Sequence, residues 1–488
     1  MSFVGLYTGL TGVRAAQVGI DITGNNVANA ATPGYTRQRV ELAARPSYQA
    51  PGAMIGTGVD ISTIGRLRDG FLDARFRSSS ADHAAASVRS DLLARLEHLT
   101  GEPEQGISVR LGRLWEAAES WANNPADAAT RRQVLSELSS VSDTIRSTAA
   151  AWDALAADTG ARRDTQVTMA NDTLASLADL DRRIADMNPT RIGPELLDQR
   201  DLLLDEVARL TGADVKIDEN NRALVTLPGA DGQPVDLLRA GERQRLAVDP
   251  AGGGIHVAAL DATAVDPATG PSVAVGGEVG GLHQVLVTDL PRWRAELDAF
   301  ARTLADAVNT VNAQGAIGNG AGGSQPGGAL LTFDAADPAG SLRLADGVDV
   351  ASLAASALPT GAGGSHDPSL PPAPHDGRNA RAFADLRTTK IGDGGAADPA
   401  GASLENRFAD LVVGLAGDVR SARATADSAR AVSVGAELAR MQEHGVSLDE
   451  EMVGLVRYQR SLEAASRVMT TVDEALNVLV NRTGIVGR

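Results

Sequence analysis

The clearest hydrophobic pattern in the chain runs from Ser447 to Arg482, where apolar residues recur at spacings of three and four. This a/d heptad spacing is typical of a coiled-coil seam. Ser447 and Glu450 have the spacing of a capping box, in which each side chain binds the backbone N–H of the other residue. The pattern predicts one long helix whose apolar face requires partners. Its positions are Leu455, Tyr458, Leu462, Ala465, Met469, Val472, Leu476 and Leu479.

A second helical pattern covers residues 1–31, which carry only Arg14 and Asp21 as charges. Five glycines weaken this pattern, because each costs about 1 kcal/mol relative to Ala within a helix. We therefore expect this helix to form against a partner, and the economical arrangement pairs it with residues 447–482. The interface predicted on it consists of Leu6, Leu10, Val13, Ile20 and Val27.

Asparagines and turn-forming residues follow this helix. Pro33 and Gly34 fit the two central positions of a type II turn, and Asn29 fits the end of the helix. Three asparagines within five residues exceed the needs of a helix end. We expect their amides to bond carbonyl groups of adjacent helices. The whole motif comprises Asn25, Asn26, Asn29, Thr32, Pro33, Gly34 and Tyr35.

Between these two helices the pattern alternates between helix and strand. Residues 36–63 and 213–288 hold short alternating runs bounded by Gly and Pro, which predict an extended segment and a small β domain. Proline, glycine and asparagine bound the helical patterns. These patterns predict helices over residues 65–98, 107–121, 126–187, 194–210, 291–313, 378–387 and 403–444.

The predicted fold is α+β and multidomain, with the terminal helices paired as a coiled coil, a long helical bundle and inserted β-rich outer domains. Four parts are expected from the changes of pattern. They are a terminal domain with its extended linker (1–63 with 445–488), a helical domain (64–212 with 289–315 and 376–444), a β-rich domain (213–288) and a loop-rich or β-rich insertion (316–375). The proline-rich patch 368–374 has no assigned role.

Composition removes several classes of function. The net charge of −17 makes nucleic acid and anionic lipid poor partners. The absence of cysteine excludes disulfides, thiolate catalysis and cysteine-bound zinc. Aromatic residues are only 3% of the chain, so we expect Ala, Gly and Leu to do most of the packing. The sequence shows neither a membrane-spanning run of about 20 apolar residues nor a cleavable secretion signal.

No motif points to catalysis or to a cofactor. The seven histidines lack a zinc-binding spacing, and the longest glycine-rich loop lacks the Lys-Ser/Thr of a phosphate loop. Asp198, Asp201 and Glu206 lie at helical spacing beside Arg200 and Arg209. This arrangement favours a solvated, ion-paired helix face over a general acid–base pair. We therefore predict no catalytic, cofactor-binding or metal-binding residues.

Two stretches resemble signatures of bacterial flagellar rod, hook and hook-associated proteins. Residues 10–35, which end in Ala-Thr-Pro-Gly-Tyr, are similar to the N-terminal signature of these proteins. Residues 445–451, together with 456–459 and 472–476, are similar to their shared C-terminal helix. Further stretches narrow the resemblance to the hook-associated protein 1 family. They are Gly56–Val59, Arg66–Leu72, Asn124–Asp127, Leu196–Asp201 and Asp376–Ala380.

The resemblance implies a structural axial protein of the bacterial flagellum, which forms the hook–filament junction by ring-like or helical self-assembly. It also implies export by the flagellar type III path without a cleaved signal peptide, and an extracellular location. The implied partners are other copies of the chain, the hook protein, a second junction protein and a cytosolic export chaperone at the C-terminal helix. Another axial protein, such as the hook or a distal rod protein, and a cytoplasmic coiled-coil scaffold remain as alternatives.

Overall fold

Most residues predicted to be helical lie in helices, but Gly65 and Arg66 end a strand, and the helix predicted from residue 65 begins at Gly70. The computed structural model describes residues 4–50, 52–188, 192–249, 253–259, 270–361, 364–392 and 394–483. The helices in these ranges are α1 (Val4–Ala28), α2 (Gly70–His98), α3 (Ile107–Asn123), α4 (Ala128–Ala185), α5 (Pro194–Thr211), α6 (Gly277–Gln284), α7 (Leu290–Gln314), α8 (Pro338–Ser341), α9 (Arg378–Asp385), α10 (Leu404–His444) and α11 (Leu448–Thr483). A π-helical turn, Val285–Asp289, joins α6 to α7.

Short strands fill the segments between the helices, and their pairings are antiparallel. The strands are β1 (Gln38–Ala44), β2 (Tyr48–Ala50), β3 (Ala53–Ile55), β4 (Val59–Arg66), β5 (Asp214–Ile217), β6 (Ala223–Pro228), β7 (Pro234–Arg239), β8 (Glu242–Arg243), β9 (Arg245–Val248), β10 (Ile255–Ala258), β11 (Gly315–Gly318), β12 (Ser324–Pro326), β13 (Leu331–Thr332), β14 (Arg343–Leu344) and β15 (Ser356–Ala357). One sheet has the order β5-β6-β7-β8 and another the order β12-β11-β15. The remaining sheets are the pairs β1–β4, β2–β3, β9–β10 and β13–β14.

Helix boundaries follow residues that start and stop helices. Pro194 occupies the first turn of α5, where the N–H that it lacks would have no partner within the helix. Gly212 ends α5 in the left-handed conformation, with φ of 68°. The proline-rich patch 368–374 forms neither helix nor strand, although the Pro368 carbonyl accepts a hydrogen bond from Ser324 N at 3.1 Å.

The extended and β-rich predictions agree with the structure over most of their length. Residues 36–63 contain β1 to β3 and the start of β4. Residues 213–288 contain β5 to β10, but their last part is helical because α6 begins at Gly277. Val279 and Leu282 of α6 are buried, and their spacing of three is that of one helix face.

The chain folds as two compact units, each built from separated segments. Unit 1 comprises Met1–Ala84, Gln166–Glu278 and Ser428–Arg488, and unit 2 comprises Ala85–Thr165 and Val279–Asp427. The long helices and small sheets confirm the prediction of an α+β multidomain protein. The four-part division of the sequence stays a prediction.

Unit 2 is organised around one hydrophobic core. All four tryptophans of the chain, Trp115, Trp121, Trp152 and Trp293, are buried in it. Trp121 meets Phe383 edge to face, with ring centroids 5.8 Å apart. Leucine and alanine make up most of this core, as expected from the composition, and the tryptophans add to it.

Unit 1 contains α1 and α11 side by side, and the β1–β4 pair lies against α1. This arrangement confirms the predicted pairing of the N-terminal and C-terminal helices. The same unit holds the β5-β6-β7-β8 sheet. Unit 1 therefore brings together the two segments that carry the predicted interface and the asparagine-rich motif.

Candidate assembly interface

The close contact between α1 and α11 depends on glycines of α1, which have no Cβ atom. A Cβ atom at Gly9 would lie 2.7 Å from Cγ of Met469, and one at Gly19 would lie 2.5 Å from ring carbons of Tyr458. Carbon atoms do not approach so closely without moving. The glycines that weaken α1 as an isolated helix therefore allow α11 to lie against its backbone.

The predicted apolar positions of α1 lie outside its buried face. Leu6, Leu10, Val13 and Ile20 are half-buried, and Val27 is 38% exposed. The buried positions of α1 are small or polar instead. They are Gly9, Thr11, Ala15, Ala16, Gly19, Thr23 and Asn26.

The predicted stripe of α11 faces α1 but is only partly covered. Leu455, Tyr458, Leu462, Met469, Val472 and Leu476 are all half-buried, and the side chain of Leu479 lies outside the described residues. Other large apolar side chains of α11 are exposed. They are Leu448, Met452, Val453, Val456, Val468 and Val478. This helix therefore carries more apolar surface than one copy of the chain covers.

Asn26 is buried and joins three segments of unit 1. Its Nδ2 donates to Gln38 O at 2.9 Å and to Glu451 Oε2 at 3.0 Å. Its Oδ1 accepts from Gln38 N at 3.0 Å and from the Tyr35 hydroxyl at 2.8 Å. The amide thus uses both donors and both lone pairs, and it links α1 to β1 and to the first turn of α11.

The other asparagines of the motif bond locally. Asn29 Nδ2 donates to the carbonyl and to Oδ1 of Asn25, at 3.1 and 2.7 Å, and Thr32 Oγ1 donates to Asn29 Oδ1 at 3.2 Å. The predicted turn is present, because Tyr35 N donates to Thr32 O at 3.2 Å and Gly34 has φ of 78°. Asn25 Oδ1 also accepts from the Tyr35 hydroxyl at 3.2 Å. The expectation that the three amides bond carbonyl groups of adjacent helices stays a prediction.

Arg37 connects this motif to the start of α11. Its Nε donates to Glu451 Oε1 at 2.7 Å and its guanidinium also binds Glu450 Oε2 at 2.6 Å. The predicted capping box is consequently only half formed. Ser447 Oγ accepts from Glu450 N at 3.5 Å, but the Glu450 carboxylate binds the Arg37 cation and not the backbone of Ser447.

A buried cluster of ion pairs lies behind the motif. Arg66 binds Asp198 at 2.7 Å and Asp201 at 2.8 Å, and Arg68 binds both Asp73 and Asp201. The prediction of a solvated face is therefore wrong for Asp198 and Asp201, which the arginines at and after the end of β4 cover. The neighbouring Arg200 is also buried.

This environment shifts the pKa values of Tyr35 and His444, which both lie in unit 1. Burial, followed by the negative charges of Asp198, Glu195 and Glu451, raises the pKa of Tyr35 to about 12. Its hydroxyl therefore stays protonated and remains a donor to Asn26. Burial lowers the pKa of His444, whose Nε2 accepts from Asp69 N at 2.8 Å.

The described residues show packing and polar connections, and no group of three or more His, Cys, Asp or Glu that could hold a metal ion. Within the same ranges, no helix is long and apolar enough to cross a membrane.

Family models match three parts of the chain. Residues 6–36 match a model described as flagella basal body rod protein, and residues 432–482 match the C-terminal model of the flagellar basal body rod FlgEFG proteins. Residues 93–330 match the helical domain of the flagellar hook-associated protein FlgK. With the α1–α11 pair, these matches define a structural axial protein of the bacterial flagellum.

Comparisons with individual proteins narrow this class of flagellar axial proteins. Flagellar hook-associated protein 1 of Bacillus subtilis is 28% identical over 525 residues, which cover 100% of this chain and 99% of that protein. The protein of the same name from Escherichia coli is 24% identical over 64% of this chain and 58% of its own length. Over its full length, the chain is therefore a relative of flagellar hook-associated protein 1.

A solved structure has the same fold. The flagellar hook junction protein FlgK from Burkholderia pseudomallei aligns with a TM-score of 0.62 over 76% of this chain and 100% of that chain. The sequence identity is 17%, so this similarity supports the fold alone.

Proposed function

We propose that this protein polymerises through α1 and α11 to form the junction between the flagellar hook and the filament. One observation carries the proposal: α11 keeps its large apolar side chains exposed or half-buried beside α1. Apolar surface of this extent marks a contact site on a soluble protein. Burial between neighbouring copies would stabilise the assembly by about 25 cal/mol per Å² of apolar area.

The polar connections around Asn26 give this surface a defined geometry. The Asn26–Glu451 bond and the Arg37 ion pairs join α1 and β1 to the first turn of α11. A helix pair held only by apolar contacts can slide by one turn, whereas buried polar contacts favour one register. We infer that each copy presents the same apolar surface to its neighbours, which a regular tube requires.

The proposed partners follow from the same surface. The hook protein and a second junction protein would contact the assembled ring, and an export chaperone would cover α11 before assembly, since exposed apolar surface promotes aggregation. We infer export through the flagellar path without a cleaved signal peptide, and a role based on packing and not on catalysis.

Electron microscopy of a strain that lacks the gene tests the proposal. We expect hooks without filaments and filament protein released into the medium, and the intact gene on a plasmid should restore filaments. Normal filaments in the deletion strain would contradict the proposal. Loss of the hooks themselves would indicate a role in the rod or the hook instead.

A further inference from the structure

Phe71 is the most exposed large apolar side chain in the described ranges, at 72%. It lies in the first turn of α2, and Asp69 Oδ1 accepts from its backbone N–H at 2.8 Å. Arg75 is exposed one turn further along the same helix face, and it has no acidic partner among the described residues. We call Phe71 and Arg75 together the Phe71 knob.

A groove of 740 Å³ lies in unit 2 between the end of α2, α3 and α10. It has the size and apolar character of a site that accepts a large side chain. Val413 is 64% exposed on its wall. Its apolar lining includes Leu111, Trp115, Phe408, Val412 and Val413. We call this site the α3–α10 groove.

The polar lining of the α3–α10 groove is mainly acidic. Glu97, Glu102 and Glu405 lie there with His98 and Arg423. Glu405 pairs with an arginine of the same unit, and Glu102 bonds a serine on α3. The Glu97 carboxylate has no ionic partner among the described residues. The groove therefore presents an unpaired anion beside an apolar cavity.

We propose that the Phe71 knob of one copy occupies the α3–α10 groove of a second copy. The aromatic ring matches the apolar lining, and the unpaired Arg75 matches the unpaired Glu97. Aromatic residues and arginine are the side chains that most often dominate protein interfaces when they fill a pocket. The inference rests on the proposed function, because it requires the protein to self-assemble.

Two copies that exchanged knobs would close as a dimer, whereas copies that share one orientation along a tube make a heterologous contact, which leaves a free knob and a free groove at its ends. Such a contact repeats from each copy to the next and builds a ring or a helix. The Phe71 knob would thus add a second contact to the assembly that α1 and α11 hold together.

Disulfide trapping tests the contact directly, because the chain has no cysteine of its own. The double variant Ala74→Cys/Val413→Cys keeps Phe71 and Arg75, and Ala74 is exposed beside them on α2. It would replace the native protein in living cells, and isolated hooks with attached filaments would be oxidised. We expect a ladder of products at multiples of the 50.3 kDa chain on a non-reducing gel. The matched control is Met54→Cys/Val413→Cys, since Met54 is 65% exposed but lies outside the knob.

A ladder in the control of equal intensity, or only products of single-chain mass from the knob variant, would overturn the proposal. Both side chains are largely exposed, so the variants should melt at the wild-type temperature. If the deletion strain has hooks without filaments and the ladder is absent, the knob contact fails while the junction role stands.

A charge exchange gives a second readout. We expect Arg75→Glu to lower the amount of protein in sheared flagella at least tenfold, and Arg75→Glu combined with Glu97→Arg to restore most of it. Phe71→Ala should reduce incorporation about thirtyfold, as for a dominant interface residue. Wild-type incorporation of Phe71→Ala would overturn the proposal.

Discussion

Asn26 holds together segments that are distant in the sequence. Its four hydrogen bonds reach Gln38, Tyr35 and Glu451, and the side chain is 1% exposed. Buried polar groups that lose their partner cost more than the bond itself contributed, because they remain out of water. The amide is therefore more than a helix end: it sets where α1, β1 and α11 meet.

Replacing Asn26 with Ala should loosen this junction. The change leaves the Gln38 N–H and the Glu451 carboxylate short of partners, which costs about 3 kcal/mol. We expect hydrogen exchange at the Gln38 amide to accelerate about a hundredfold. The control Asn29→Ala removes only local bonds at the end of α1, so exchange at Gln38 should change little. Equal exchange in the two variants would contradict this account.

His444 should make unit 1 less stable in mild acid. Burial lowers its pKa from the ordinary 6.5, Asp73 opposes this, and Arg68 and Arg440 add to it. Above pH 6.5 both states hold the ring neutral. Below pH 6.5 the unfolded chain takes up the proton first. The free energy of unfolding therefore decreases as the pH is lowered, by at most about 1.4 kcal/mol per pH unit.

The variant His444→Gln tests this titration, because an amide oxygen can still accept from Asp69 N. Urea unfolding of the wild type and of the variant would be compared at pH 7.5 and pH 5.5. Hydrogen exchange of amides in α10 and β1 would serve as the probe. The wild type should lose more stability on acidification than the variant. His283, whose pKa burial also lowers, lies in unit 2 and is present in both proteins. Parallel losses in both proteins would exclude His444 as the cause.

At the scale of elements, the glycines of α1 differ in what surrounds them. A Cβ at Gly19 meets the Tyr458 ring, whereas a Cβ at Gly24 meets nothing within 4 Å. Both positions gain about 1 kcal/mol of helix propensity on substitution by Ala. The cost of displacing a packed ring exceeds that gain at Gly19 alone.

Gly24→Ala should therefore stabilise α1 by about 1 kcal/mol, and Gly19→Ala should destabilise the α1–α11 pair by about 1–3 kcal/mol. Hydrogen exchange of α1 amides in the full chain measures both effects. Faster exchange in Gly24→Ala, or slower exchange in Gly19→Ala, would show that glycine is not required by close packing.

The stripe of α11 is where a buried charge should block assembly. Leu462→Asp or Leu476→Asp places a carboxylate on the half-buried face, and we expect incorporation into sheared flagella to be lost. The control Arg467→Asp puts the same charge on an exposed position of the same helix. Circular dichroism would check that unit 2 remains folded. Filaments that contain Leu462→Asp at wild-type levels would refute the proposed interface.

At the scale of the whole molecule, the aromatic residues separate by unit. The four tryptophans lie in unit 2, and the four tyrosines, Tyr7, Tyr35, Tyr48 and Tyr458, lie in unit 1. Each unit has its own packing, so each is expected to have its own unfolding transition. Tryptophan fluorescence thus reports unit 2 alone.

A variant in unit 1 should leave the tryptophan signal unchanged. We expect Gly19→Ala to lower the urea concentration at which the α1 amides lose their protection from hydrogen exchange. The transition in tryptophan fluorescence should keep its wild-type midpoint. A common shift of both midpoints would mean that the two units unfold as one cooperative block.

The sequence by itself determined the helices, because their periodicity and the residues that stop them act over a few neighbouring positions. It also determined the stripe of α11, the turn at Pro33-Gly34 and the resemblance to flagellar hook-associated protein 1. The half-formed capping box shows the limit of such local rules. Arg37 lies 413 residues before Glu450 in the sequence and yet binds its carboxylate.

The tertiary structure decided which surfaces are covered. Whether Asp198 and Asp201 face water depends on Arg66 and Arg68, which lie about 130 residues earlier in the sequence. Whether the glycines of α1 weaken a helix or admit α11 depends on what lies within a few ångström of them. Burial and charge pairing are properties of neighbours in space, and no spacing along the chain records which neighbours those are.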